Sequence, residues 1–92
     1  MTDFNAFTAS SDLVTEYINL KYSAATKAQW IALSKKAGQI ISQIRDAKAD
    51  VYTDGPKVHG AFTQSKLDMM DKFELKALNV FDNAQHAAAS TL

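Results

Sequence analysis

The sequence predicts an all-α fold: a small three-helix domain built on an antiparallel helical hairpin, with an N-terminal aromatic arm. Three observations predict it. Apolar residues recur at alternating three- and four-residue steps through Trp30, Leu33, Ala37, Ile40, Ile44, Ala47 and Val51, the seam of a helix packed lengthwise on another. Three glycines and one proline in 92 residues leave few places for chain reversal, which favours long helices over many short strands. Helix-start signals, Thr26 with Gln29 and Ser65 with Asp68, stand ahead of the two longest periodic segments.

The length allows one domain, residues 1–92. Hydrophobic types make up 47% of the chain and nine residues are aromatic, which rules out wholesale disorder and argues for a packed core.

Residues 1–10 read as an arm, in which Phe4 and Phe7 are expected to pack on something. Ser10 or Ser11 is the expected cap of a first helix over residues 11–22, with Asp12 and Glu16 in its opening turns, where the helix dipole favours acids. Leu13, Val14, Tyr17, Ile18 and Lys21 fall on one side of it, and Asp12, Thr15, Glu16 and Asn19 on the other.

The capping box of Thr26 and Gln29 opens the second helix, residues 27–48. Two of the three glycines and the only proline then fall within residues 49–64, expected to be an ordered loop. A two-strand ribbon around Asp54-Gly55 is the alternative there, weakened by Pro56, which cannot donate to a ladder.

Ser65 caps the third helix, residues 65–88. Its apolar arc of Leu67, Met69, Met70, Phe73, Ala77, Leu78, Val80, Phe81, Ala84 and Ala88 spans about half the circumference, more than one partner helix needs. This helix is therefore expected to be central, touching both others or a second copy of the chain, and residues 87–92 to fray.

Function classes narrow by what is missing. With no cysteine there is no disulfide framework, thiolate zinc site or cysteine nucleophile, and no metal site or cofactor is expected. The two histidines, His59 and His86, are far apart in sequence, and His86 suits a helix C-terminus. No nucleophile–base pair, paired carboxylates or phosphate-cradling glycine loop is present as a motif, so the reading is non-enzymatic. The N-terminus lacks the basic and apolar regions of a secretory signal, and no apolar run approaches membrane-spanning length; a cytoplasmic protein without membrane contact is expected.

Ten Lys and Arg balance ten Asp and Glu, yet residues 26–48 carry Lys27, Lys35, Lys36, Arg45 and Lys48 against Asp46 alone. Facing acids on the third helix, Asp68, Asp71 and Glu74, are the preferred explanation. Glu74 in particular stands inside the apolar arc and is expected to meet a lysine of the second helix. The alternative is a site for nucleotides or nucleic acid on Lys27, Lys35, Lys36 and Arg45, with Tyr52 for stacking.

Two apolar residues fall on polar faces. Ile31 sits among Lys27, Lys35 and Arg45 beside Gly38, and Leu75 among Asp68, Asp71, Asn79 and Asp82. Phe4, Phe7, Ile31, Lys35, Met69 and Leu75 are accordingly the expected partner-binding residues. The expected function is a helical protein–protein interaction module: a small inhibitor or adaptor of a larger complex, or a minor component of an assembly such as a virion. So small a core gains from burying surface on a second subunit, which makes a homo-oligomer, a dimer first, the expected state. In size, lack of cysteine and helical hairpin the chain resembles small bacterial and phage accessory proteins; no motif carries that likeness.

Overall fold

The computed structural model describes residues 5–54 and 63–91. Three helices account for almost all of them: α1 (Ala6–Lys21), α2 (Lys27–Asp54) and α3 (Thr63–Ser90). Among the described residues there is no strand.

The first helix begins earlier than the sequence predicts, at Ala6 and not at residue 11. Asn5 is its cap, extended in backbone (φ −121°, ψ 108°), with its side-chain oxygen accepting from the Thr8 N–H at 3.0 Å. Residues 6–10 of the expected arm are thus helix, Phe7 included, and Phe4 lies outside the described residues. Ser10 is not a cap: it is buried inside α1 and donates its hydroxyl to the Phe7 carbonyl at 3.1 Å. The longer helix turns a different stripe inward, Ser10, Leu13, Tyr17 and Leu20 at three- and four-residue steps, and Ile18 is left exposed.

At α2 the capping box forms in both directions, Gln29 N–H to the Thr26 hydroxyl at 3.2 Å and Thr26 N–H to the Gln29 side chain at 2.7 Å. The helix then runs six residues beyond the expected end at 48 and stops at Asp54, directly before Gly55-Pro56. The seam explains this, because Val51 continues it and is buried. Residues 49–54 are therefore neither loop nor ribbon strand, and the rest of the expected loop lies outside the described residues apart from the start of α3.

In α3, Ser65 is not the cap, since the helix already starts at Thr63, and Asp68 instead accepts from the Gln64 amide at 2.9 Å. Its far end does not fray at Ala87: Ala88 is buried, and the Thr91 hydroxyl donates to the Ala87 carbonyl at 2.7 Å.

α2 and α3 form the antiparallel hairpin. Position 38 of α2 lies against Phe81, Arg45 against Glu74, and Lys48 against Asp71, so numbers fall along α3 as they rise along α2. α1 packs against both, its start on α3 (Phe7 with Phe73) and its end on α2 (Tyr17 with Trp30, Glu16 with Lys36). The core takes Leu13 from α1, large residues from Trp30 to Ile44 from α2, and Ala77, Val80, Ala84 and Ala88 from α3. Every seam residue of α2 is buried except Ala47, which is half-buried, and Ile41 and Ser34 join them.

Candidate interaction surface

The expected partner-binding residues divide between two places. Phe7 and Met69 come together where the start of α1 meets α3. There the Phe7 ring stands edge-on to Phe73, centroids 5.7 Å apart at 72°, and still leaves Phe7 58% exposed and Met69 54% exposed. With Ala6 and Met70 they line an open groove of about 370 Å³.

Ile31, Lys35 and Leu75 lie on another side. Contacts fix the directions: Gly38 and Arg45 face α3, while Gln29, Leu33 and Lys36 face α1. At about 100° per residue, Ile31 and Lys35 project from α2 past α3, on the side away from α1, and Leu75 projects from α3 on that same side. Ile31 is 39% exposed and Leu75 60% exposed. Ile31 has Lys27 and Lys35 one turn before and after it, and neither lysine is in an ion pair among the described residues. Around Leu75 stand Asp68, Asp71 and Asp82, of which only Asp71 is paired with a cation among the described residues.

The hairpin itself is clamped electrostatically. Lys48 Nζ reaches Asp71 and, at 3.2 Å, Glu74, while Arg45 Nε stands 3.5 Å from Glu74. Lys48 and Glu74 are 20% and 16% exposed, so the expected pairing of Glu74 with a lysine of α2 is present and partly shielded from water. The hydrogen bond from Lys48 to Asp71, reinforced by Glu74, holds the Lys48 pKa above its ordinary 10.5 despite the opposing pull of desolvation. A raised folded-state pKa gives stability that is complete below 10.5 and is lost as pH climbs through the folded value. The difference in unfolding free energy between the wild type and Lys48→Met is therefore expected to hold steady through neutral pH and to shrink above pH 10.5, as read by urea titrations across the alkaline range.

The residues of the alternative anion site are not brought together. Lys36 pairs with Glu16 on α1, and Arg45 pairs with Glu74. Tyr52 is exposed on the last turn of α2, about 37 Å along the helix from Lys27. His86 is exposed near the end of α3, and His59 lies outside the described residues. Among the described residues, no three His, Asp or Glu side chains cluster as metal ligands, and no helix is long and apolar enough to cross a membrane.

One feature was not legible in the sequence. An open cleft of about 300 Å³ lies between α1 and α2, lined by Glu16, Asn19, Leu20, Gln29, Ala32, Leu33 and Lys36, with the Glu16–Lys36 pair across it. Its walls come from segments that only helix pairing brings together. No family model, curated protein or solved structure matches the chain, so no residue role is carried over from a relative.

Proposed function

We propose that this protein is a non-enzymatic helical interaction module, acting as a small inhibitor or adaptor of a larger complex or as a minor component of an assembly such as a virion. One observation carries the reading: Ile31 and Leu75, two large aliphatic residues, project on the side of the hairpin that α1 does not cover, each within a ring of charge of one predominant sign. An exposed aliphatic residue is ordinary by itself. A pair on one face, with Lys27, Lys35, Asp68 and Asp82 around them in no ion pair among the described residues, is the composition of a binding patch with an apolar centre and a polar rim.

The anion-binding reading draws less support, because two of its four cations already face carboxylates. The test is affinity capture from lysate of the source cells with the wild type, Ile31→Asp and Leu75→Lys, helicity of each being checked by circular dichroism. The expected outcome is a protein retained by the wild type and lost from both variants, with unchanged helicity. Equal retention by all three, or retention of nucleic acid in place of protein, would sink the reading.

A further inference from the structure

We infer that the α2–α3 face turned away from α1 docks a second copy of this chain, in a two-fold dimer centred on Gly38. This rests on the proposed reading of Ile31 and Leu75 as binding residues and names their partner.

Gly38 stands in the middle of a 28-residue helix, where glycine is unfavourable relative to alanine. Among the described residues no contact calls for it. A Cβ built at position 38 would meet the Phe81 ring at 3.6 and 3.9 Å, ordinary van der Waals contact. The packing of α2 on α3 therefore does not require glycine; at this half-buried position, about 20° round α2 from Ile31, its absence of a side chain leaves the edge of the Ile31 face open to the approach of another helix.

The surroundings of Gly38 are arranged for that approach. Ile31 lies seven residues before it on α2, about 10 Å along the axis, and Leu75 lies six residues before Phe81 on α3, about 9 Å. Because the helices are antiparallel, the two aliphatic residues fall on opposite sides of the Gly38–Phe81 contact at nearly equal distances. Their charges are opposite as well: Lys27 and Lys35 flank Ile31, and Asp68, Asp71 and Asp82 flank Leu75. Lys72, also near Leu75, lies about 60° farther round α3 on the side away from α2.

A half-turn about an axis lying in this face and passing over Gly38 exchanges the two patches. It sets each Ile31 with its lysines on the Leu75 and aspartates of the other copy, and one operation makes the contact twice. A foreign helix would have to carry both patches in the reverse order, whereas a second copy carries them by symmetry. Lys27, Lys35, Asp68 and Asp82, which are in no ion pair among the described residues, then meet opposite charges, which gives the pairing its register.

Sedimentation equilibrium over a wide range of concentrations tests this with the wild type, Lys35→Glu, Asp82→Lys and the double variant, with circular dichroism as the control for folding. The wild type is expected to be a reversible dimer. Each single reversal is expected to weaken it by about tenfold or more, since like charges then face each other twice, and the double variant is expected to regain most of the loss. Gly38→Gln, which fills the flat centre, is expected to weaken the dimer with helicity retained. A wild type that stays monomeric at every concentration overturns the dimer, as does a double variant no tighter than the single ones. If a monomeric wild type still retains a captured protein through Leu75, the dimer alone has failed; if the capture is lost too, the interaction reading has failed with it.

Discussion

Ile44→Ala is expected to lower the unfolding free energy by about 2–5 kcal/mol, the range for removing a large buried aliphatic group and leaving part of the space unfilled. Ile44 is fully buried at the centre of the α2 seam and belongs to the core cluster shared by all three helices. A domain of 92 residues has about 5–14 kcal/mol of total stability, so the loss is a large fraction of the whole. Urea unfolding followed by circular dichroism reads it as a lower midpoint with an unchanged slope, the signature of lost stability rather than a change in the surface exposed. A midpoint like that of the wild type would mean that α2 does not pack along this seam.

Leu13→Ala is expected to cost about as much, with a different consequence. Leu13 is the one fully buried aliphatic residue of α1, whose other buried residue is Ser10. Without it, α1 is held by partly buried contacts: the Phe7–Phe73 and Tyr17–Trp30 ring pairs and the exposed Glu16–Lys36 pair, which is worth little. α1 is therefore expected to detach before the hairpin unfolds. Trp30 is the only tryptophan, and its ring centroid lies 5.8 Å from that of Tyr17, so its fluorescence reports on α1 docking. In Leu13→Ala the fluorescence transition is expected at lower urea than the loss of helicity, whereas in the wild type the two coincide. Coincident transitions in the variant would mean that α1 and the hairpin unfold as one unit.

The hairpin was legible in the sequence because its signals are local and agree with one another. The α2 seam, the capping box of Thr26 and Gln29, and Glu74 inside an apolar arc each imply one structure, and each is present. The helix ends were less legible because several residues compete for each role. Asn5, Ser10 and Ser11 are all capping types; the choice fell to Asn5 because the extra turn packs Ala6 and Ala9 on the core, buries Ser10 and sets Phe7 against Phe73, a gain in packing that no local rule sees. At the other end of the hairpin, Asp50 and Asp54 read as turn residues, but burial of Val51 carries the helix on to Asp54.

The candidate surface divides in the same way. Ile31 and Leu75 stand out on a helical wheel, which needs only the period of one helix. The meeting of Phe7 with Met69 and Phe73, and the cleft between α1 and α2, depend on which helices pair and at what level, and no single segment encodes that.

The central claim is that Ile31 and Leu75 serve binding and not folding. Equilibrium urea unfolding of the Ile31→Asp/Leu75→Lys double variant, at a concentration where the chain is monomeric, tests it most directly. Both replacements suit their surroundings, an acid between Lys27 and Lys35 and a cation among Asp68, Asp71 and Asp82. The expected result is an unfolding free energy within about 0.5 kcal/mol of the wild type, as for surface substitutions generally. A loss of about 2 kcal/mol or more would place both residues in the core and contradict their assignment to a partner.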